Sequence, residues 1–362
     1  MKIAVAMSGG IDSSMAAVLL KETGHEVVGL TAELSAGLIA RYYGPSRAST
    51  NAESARAVAE SYGFPLHTVN LENDFYSIIV QPFCSEYLSG KTPNPCIHCD
   101  SLIKFDRLLR HARSLGCEKI ASGHYARIMK AANGRYYVAR GRETVKDQSY
   151  FLFMLSQESM KDIIFPLGDY TKSKVRKMAE ERRLSAAERP ESQEICFIPD
   201  NRYAEFIERA TGKAPGPGDI VNTVGKVIGQ HRGIHTYTIG QRRGLGIASL
   251  GPLYVVSIDA RNNRIVAGHR EELETAGLFA DTIHYMRETD LNDRRVLVKT
   301  RSTQTPVAAY LKKEDNGILV VFREPQVGIS PGQAAVFYGD EMDILGGGII
   351  VRSIKNTTGS EP

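Results

Sequence analysis

The 362-residue chain lacks the features that mark several common classes of protein. No apolar run reaches the roughly twenty residues that a membrane-spanning helix needs, and the first residues lack the basic and apolar segments of a signal peptide. We therefore expect a cytoplasmic protein with no membrane partner. Five cysteines, an odd number, do not form a disulfide framework, so closely spaced cysteines indicate metal binding or catalysis instead. The net charge of +4 permits nucleic-acid binding without requiring it.

The beginning of the chain contains the clearest ligand signal, a strand followed by a loop rich in glycine and serine. Residues 3–6 form a continuous apolar run typical of a buried parallel strand, and SGGIDSS follows at residues 8–14. The free N–H groups of such a loop, and of the helix that follows it, form an anion site, for which phosphate is the obvious ligand. The loop lacks the lysine of a Walker A motif and the spacing of a dinucleotide motif. A turn without a ligand is the alternative.

Beyond this loop, strand-like and helix-like segments alternate, which predicts an α/β domain with a doubly wound parallel sheet. The predicted strands include residues 26–30, 65–71 and 119–121, and the predicted helices include residues 15–23, 51–62 and 172–183. Residues 31–49 show little periodicity and are predicted to be a loop at the carboxyl edge of the sheet, where ligands bind in open α/β folds. The charged face of the helix at 172–183 is predicted to be solvated or to contact an RNA backbone.

The composition changes from residue 214, where prolines and glycines begin to punctuate short β-like runs, and we place a domain boundary near residue 210. After a small β-rich segment, short strands at sandwich or barrel spacing are predicted at residues 296–300, 307–311, 317–322, 334–338 and 344–351. We therefore expect an α/β domain at residues 1–210, a small central β-rich domain at 211–275 and a C-terminal β domain at 276–355. Residues 356–362 are predicted to be disordered.

A second unusual segment is GKTPNPCIHCD at residues 90–100. Pro93 and Pro95 are expected to hold the backbone extended and to prevent a helix until after Cys99. Its C-x-x-C pair suits a metal site, a redox dithiol or one activated thiolate, and two structural cysteines are the alternative. A zinc ribbon would need a second C-x-x-C, which the chain lacks. Cys196 is predicted to lie in a short strand. With it the chain has three cysteine ligands, a number that suits an iron–sulfur cluster with one open iron.

Eight segments together resemble the tRNA-specific 2-thiouridylase family, in order and at compatible spacing over nearly the whole chain. They are SGGIDSS (8–14), GKTPNPCIHCD (90–100), IKF (103–105), ASGHYAR (121–127), KDQSYFL (146–152), ESQEICFIP (191–199), YTIGQRRGLGI (237–247) and SPGQAAVFY (330–338). The first segment resembles the pyrophosphate loop of the ATP pyrophosphatase superfamily, which alone would fit many adenylating enzymes. The two cysteine motifs separate the chain from those.

The resemblance implies an N-terminal ATP pyrophosphatase domain, a small central domain and a C-terminal β-barrel that helps to hold tRNA. Such an enzyme is a transferase that replaces the C2 oxygen of the anticodon wobble uridine with sulfur and releases AMP and pyrophosphate. It uses ATP with Mg²⁺. Its partners are tRNA and a sulfur donor.

The resemblance also implies three groups of site residues. The implied nucleotide contacts are Ala6, Met7, Ser8, Gly9, Gly10, Ile11, Asp12, Ser13, Ala32 and Gly123. The implied tRNA contacts are Asn94, Pro95, Cys96, His124, Lys146, Asp147, Gln148, Arg301, Ser302 and Gln333. Cys99 matches the family's nucleophile, and Cys196 matches the cysteine that receives a persulfide from a sulfur carrier.

The chain departs from the common family pattern in ways that leave two sulfur routes open. Cys96 stands where many relatives have aspartate, so a third thiol joins the pair. Cys96, Cys99 and Cys196 would then hold a [4Fe–4S] cluster whose free iron carries sulfide, as an alternative to the Cys196 persulfide. The segment after Leu30 lacks the Phe–Met pair that often contacts adenine, and Ser302 replaces a frequent tyrosine.

Two other functions compete with tRNA thiolation. The same loop would serve another adenylating ligase or thiolase that acts on a different RNA position or on a small molecule. A non-enzymatic RNA-binding or iron–sulfur sensing module is the third class, and the intact SGGIDSS loop argues against it.

Overall fold

The computed structural model describes residues 1–44, 51–184 and 195–355. Contacts divide the chain into two compact units. The first unit contains Met1–Val80, Pro95–Asn201 and Glu341–Leu345, and the second contains Gln81–Asn94, Arg202–Asp340 and the chain from Gly346 onward. In the described ranges, no helix has both the length and the apolar character that a membrane span requires.

The helices and strands have the following bounds. The α-helices are α1 Ile11–Glu22, α2 Ala36–Tyr43, α3 Asn51–Tyr62, α4 Glu72–Phe75, α5 Gln81–Leu88, α6 Pro95–His98, α7 Leu108–Ser114, α8 Gln157–Met160, α9 Lys172–Glu181 and α10 Tyr203–Thr211. Tyr76–Val80 and Cys99–Arg107 are π-helical. The strands are β1 Lys2–Ala6, β2 Glu26–Glu33, β3 Leu66–Asn70, β4 Lys119–Ala121, β5 Ala126–Lys130, β6 Tyr136–Arg140, β7 Ile163–Ile164, β8 Gly218–Val221, β9 Val227–His231, β10 Tyr254–Asp259, β11 Arg264–Gly268, β12 Glu274–Tyr285, β13 Arg294–Lys299, β14 Val307–Glu314, β15 Gly317–Val327, β16 Ala334–Tyr338 and β17 Ile344–Ile354.

The first unit is built on a five-stranded sheet in the order β3-β2-β1-β4-β7. Every neighbouring pair in it is parallel, which confirms the predicted sheet. Ile3, Ala4 and Val5 of β1 are fully buried, as expected of a strand that is covered on both faces. One hydrophobic cluster joins β1 to α1, α3 and α9 and fixes the start of α1 at the carboxyl edge of the sheet.

The second unit contains two β structures. A four-stranded sheet has the order β10-β11-β8-β9, and a closed barrel has the order β12-β15-β14-β13-β16-β17. The barrel confirms the predicted C-terminal β-barrel and resolves the choice between sandwich and barrel. The sequence analysis missed β12, whose twelve residues begin where a domain boundary was placed.

Three local predictions differ from the structure. The predicted loop at 31–49 contains α2, while residues 45–49 of it lie outside the described chain. Helix α6 begins at Pro95 and not after Cys99, because a proline at the first helical position loses no intrahelical hydrogen bond and has a preset φ. Cys196 lies in a turn and not in a strand. The predicted disordered tail at 356–362 lies outside the described residues.

Candidate active site

The glycine- and serine-rich loop closes on itself between β1 and α1. Gly9 has a φ of 74°, which favours glycine, whereas Gly10 has an ordinary φ of −84°. The Ser13 Oγ accepts a hydrogen bond from the Ser8 backbone N–H at 3.2 Å and donates one to the Gly10 carbonyl at 3.1 Å. These side-chain bonds fix the conformation of the loop at the N-terminus of α1, where the backbone N–H groups suit a phosphate.

Gly123, just beyond β4, packs directly against this loop. A Cβ atom at this position would stand 2.6 Å from the Asp12 carbonyl carbon and 2.6 Å from the Ser13 nitrogen. Both atoms belong to the backbone and have no flexible end that could move aside. Only glycine fits, because the chain after β4 must approach the loop this closely.

Asp12 is anchored by two residues from distant parts of the chain. The Lys172 Nζ lies 2.8 Å from Asp12 Oδ1 and 2.7 Å from Oδ2, and the Tyr125 hydroxyl donates to Oδ1 at 2.7 Å. The charged face that begins at Lys172 was predicted to be solvated or to contact an RNA backbone, whereas in the structure the Lys172 ammonium bonds Asp12 of the loop. A lysine at the start of a charged helix gives no signal of this pairing, which only the tertiary fold creates.

A cavity of about 240 Å³ opens beside the loop. Seven of the predicted nucleotide residues line it: Ala6, Met7, Ser8, Asp12, Ser13, Ala32 and Gly123. Gly9, Gly10 and Ile11 belong to the loop and the first turn of α1 without lining the cavity. His124 and Gln148, predicted as tRNA contacts, also line it. Sequence reasoning missed the remaining lining residues, which are Leu30, Leu34, Lys104, Leu108 and Ser122.

A polar network runs along one side of this cavity. The Ser122 Oγ and His124 Nδ1 are 2.7 Å apart, His124 Nε2 lies 3.4 Å from Asp100 Oδ1, and the Lys104 Nζ donates to the same Oδ1 at 2.7 Å. Burial raises the pKa of Asp100, but the charges of Lys104 and His124 outweigh it and lower that pKa to about 2. Asp100 is therefore an anion that holds the Lys104 ammonium in place.

Acid is expected to remove the stabilisation that Asp100 gives the fold. Its folded-state pKa is about 2, and an unfolded aspartate titrates near ~3.9, so the contribution is full above ~pH 4 and is lost as the pH falls through the folded value. This difference in pKa corresponds to a contribution of roughly 2 kcal/mol to the free energy of unfolding, and about half of that contribution is lost by ~pH 3. Urea unfolding at ~pH 5 and ~pH 3 should show a larger fall for the wild-type chain than for Asp100→Asn. An equal fall in both would contradict this assignment.

Three cysteines gather beside Lys104. Cys99 is 8% exposed, whereas Cys96 and Cys196 are exposed, and all three are free thiols. Surrounding protein raises the pKa of Cys96 to about 12 even though its side chain retains contact with solvent. Burial likewise raises the pKa of Cys99 and of Cys196 above the usual thiol value. The charge of Lys104 opposes this effect but does not cancel it. The three thiols also interact electrostatically with one another, so the fold brings the two cysteine motifs together.

These thiols do not form a ready-made metal site. Over the ranges that the structure describes, no three or more His, Cys, Asp or Glu side chains are arranged to hold a metal ion. The [4Fe–4S] ligand set therefore stays a prediction. Among the described residues, Asp12 is the one carboxylate that lines the cavity, and both of its oxygens accept from Lys172. A bound Mg²⁺ would rely mainly on phosphate oxygens, as Mg²⁺ commonly does.

The other predicted tRNA contacts are spread over both units. In the first unit, Pro95 begins α6, Asp147 is buried and accepts from the Ser149 N–H, and Lys146 is exposed. In the second unit, the Gln333 Nε2 donates to the Thr92 carbonyl at 2.7 Å, two residues before Asn94. The Arg301 Nη2 donates to the Gly328 carbonyl at 2.5 Å, and Ser302 beside it is half-buried. Gln333 and Arg301 therefore tie loops of this unit together, and contact with tRNA stays a prediction.

The parallel sheet, its phosphate-type loop and the adjoining cavity define a nucleotide-binding domain of the HUP type. A family model described as a tRNA methyl transferase HUP domain matches residues 1–200. Models described as a tRNA methyl transferase PRC-barrel domain and an aminomethyltransferase β-barrel domain match residues 204–269 and 275–350.

Full-length relatives narrow this class to one family. The chain is 44% identical to the tRNA-specific 2-thiouridylase MnmA of Geobacter metallireducens over 96% of each chain. It is 43% identical to the enzyme of the same name from Geotalea uraniireducens, over 99% of this chain and 96% of the relative. The chain belongs to the tRNA-specific 2-thiouridylase family, as its motifs predicted. A solved 4-thiouridine synthetase–RNA complex with bound ATP matches 58% of this chain and 50% of that chain, at 18% identity with a TM-score of 0.34, too low to support an argument.

Proposed function

We propose that this protein is a tRNA sulfurtransferase that replaces the C2 oxygen of the wobble uridine in a tRNA anticodon with sulfur, at the expense of ATP. The observation that carries the proposal is the composition of one cavity. Its wall contains the phosphate-type loop and also Lys104, which lies on the same helix as Cys99. A site for adenylation and a thiol for sulfur transfer thus adjoin each other. The family's thiouridylase names support the same reaction.

In the first half-reaction, uridine O2 attacks the α-phosphorus of ATP, and pyrophosphate leaves. Ser8, Ser13 and the N–H groups at the start of α1 bind the phosphates, while Lys172 and Tyr125 hold Asp12 against the loop. Mg²⁺, when bound by the phosphates and Asp12, would neutralise part of their charge. The target base must leave the anticodon stack to reach the cavity. His124, which is 7% exposed, suits contact with a base or nucleotide inside the cavity better than contact with an outer RNA backbone.

In the second half-reaction, a persulfide on Cys196 supplies the sulfur. Its terminal sulfur attacks C2, and the bond from C2 to the adenylated oxygen breaks as AMP departs. Cys99 then attacks the Cys196 Sγ as its thiol proton passes to the uridine. The bond between Cys196 and the transferred sulfur breaks, so that this sulfur stays on C2 and a Cys99–Cys196 disulfide forms. A thiol reductant must reduce this disulfide before the next turnover. The exposure of Cys196 suits loading by a sulfur donor, and the burial of Cys99 protects the attacking thiol.

The experiment that tests the reaction measures three products from unmodified tRNA, ATP and a sulfur donor. Pyrophosphate and AMP should form in equal amounts to 2-thiouridine, which is detected by nucleoside analysis. Pyrophosphate exchange that requires a small acid and ignores tRNA would favour another adenylating ligase. Binding of tRNA with no AMP formed, under either sulfur supply, would favour a non-enzymatic module.

The sulfur source is tested on the same enzyme after anaerobic purification. We expect thiolation from a persulfide donor in preparations without bound iron, because the exposed Cys196 thiol can carry the persulfide itself. The measurement combines iron, sulfide and zinc assays with turnover from free sulfide or from a persulfide carrier. Turnover from sulfide that requires iron would replace the persulfide route with the [4Fe–4S] route.

We also propose the domain bounds 1–210, 211–275 and 276–355. The matched ranges 1–200, 204–269 and 275–350 support three domains in this order, and helix α10 at Tyr203–Thr211 crosses the first bound.

A further inference from the structure

One cation of the cavity has no part in the steps above, the ammonium of Lys104. Of the residues that line the cavity in the described chain, Lys104 is the one lysine or arginine. Its side chain is a little over one-third exposed at 36%, so it reaches the open space of the cavity. Lys172, the other nearby lysine, is committed to both oxygens of Asp12.

The π-helical form of Cys99–Arg107 determines which residues Lys104 faces. In a π-helix the hydrogen bonds join residues five apart, so one turn brings such residues to the same face. Lys104 follows Cys99 by five residues and Asp100 by four, and it therefore lies beside both. In an α-helix of ~3.6 residues per turn, residues five apart point in clearly different directions. The wide turn thus places the Lys104 side chain, which lines the cavity, near enough to the Cys99 thiol to interact with it electrostatically.

A fixed set of contacts holds the ammonium there. Lys104 Nζ donates to Asp100 Oδ1 at 2.7 Å, and Asp100 is further held by His124, which is itself bonded to Ser122. An ammonium has three N–H donors, and Asp100 is the one hydrogen-bond acceptor of Lys104 among the residues the structure describes. No described residue accepts from the other two donors. Burial lowers the pKa of Lys104, but Asp100 and the neighbouring thiols raise it above its usual range, so the side chain stays charged.

The α-phosphate of ATP gains negative charge in both half-reactions, and a nearby cation would stabilise that charge each time. Negative charge grows on the α-phosphate oxygens while O2 attacks and pyrophosphate leaves. It grows on the same phosphate again when AMP leaves C2. A preorganised cation in a cavity stabilises developing charge far better than one in water.

We propose that Lys104 is a catalytic residue shared by the two half-reactions, with its ammonium on the phosphate that becomes AMP. This inference rests on the proposed function. Lys104 also faces Cys99, so it links the nucleotide to the thiol that ends the second half-reaction. Contact with the phosphate distinguishes this role from one in which Lys104 only changes the reactivity of the thiols.

The test compares Lys104→Met with Arg107→Met, which removes a cation from the same helix. Arg107 pairs with Asp74 and Asp106 and does not line the cavity. We expect Lys104→Met to slow single-turnover pyrophosphate release and AMP release by ~100-fold or more each, with the KM for ATP within ~3-fold. Lys104→Arg should recover part of both rates because it restores a cation. Arg107→Met should leave both rates within ~3-fold of wild type.

A second variant tests whether Lys104→Met loses activity through misfolding, which is a concern because Asp100 then lacks its cation. The double variant Asp100→Asn, Lys104→Met removes both charges and should lose as much activity while it keeps the wild-type circular dichroism. Normal pyrophosphate release with slow AMP release would overturn the shared role and leave an effect on the thiols alone. An equal loss in Arg107→Met would overturn it as well. A wild-type enzyme with no tRNA-dependent pyrophosphate release would instead remove the proposed function, and this inference with it.

Discussion

Serine in place of Cys99 or Cys196 is expected to lower the yield of 2-thiouridine by at least ~1,000-fold, because an alcohol cannot replace the attacking thiol or carry a persulfide. Single-turnover pyrophosphate release should stay within ~3-fold of wild type, since neither thiol takes part in adenylation. The measurement pairs nucleoside analysis with a pyrophosphate assay on the same samples. Loss of both products together would mean that the cysteines support the nucleotide site itself.

Cys96 discriminates between the two sulfur routes. Cys96 is exposed on the first turn of α6, so Cys96→Ser removes a thiol at little cost to packing. With a Cys196 persulfide, this variant should keep its thiolation rate within ~3-fold of wild type. If all three cysteines hold a cluster, the thiolation rate of Cys96→Ser should fall as far as that of Cys99→Ser.

Cys117 provides the control for loss of a thiol as such. It is 4% exposed, and burial raises its pKa, as expected of a packing residue. Cys117→Ala should keep thiolation near the wild-type rate. Thiolation that survives in both Cys99→Ser and Cys196→Ser would contradict the proposed sulfur transfer.

The local parts of the site follow from the sequence, because their signals lie within a few residues of each other. The apolar run at residues 3–6, the glycines after it and the helix at residue 15 predict a phosphate-type loop on a parallel sheet. The two cysteine motifs likewise predict a thiol site. These features depend on backbone conformation and hydrophobic periodicity, which short segments encode directly.

The contacts between distant residues do not follow from the sequence. Lys172 and Asp12 are 160 residues apart, and their pairing requires α9 to pack against α1 in the hydrophobic cluster. The orientation of Lys104 could not be predicted, because hydrophobic periodicity does not reveal the π-helical turn that determines it. The rule that prolines exclude helix was wrong at Pro95, where the proline occupies the first helical position. In each case tertiary packing or helix geometry decided the outcome.

Alanine in place of Gly123 is expected to weaken ATP binding ~5- to ~150-fold, the equivalent of an overpacking cost of about 1–3 kcal/mol. Its Cβ would meet the backbone of Asp12 and Ser13 at 2.6 Å, so the loop itself must shift. The shift would also disturb the bonds that Lys172 and Tyr125 make to Asp12. Calorimetric titration with ATP measures the effect.

Two further glycine variants show whether weaker ATP binding comes from crowding at Gly123 or from the replacement of any glycine. Gly216→Ala should leave ATP binding unchanged, because nothing lies within 4 Å of its added Cβ. Gly10→Ala lies in the loop, but its Cβ would meet only the Ser8 Oγ, at an ordinary 3.5 Å. If Gly10→Ala binds ATP better than Gly123→Ala does, the loop depends on the close approach of the chain after β4 more than on its own flexibility. Equal binding by Gly123→Ala and the wild-type chain would show that the loop can move without loss, and would remove Gly123 from the nucleotide site.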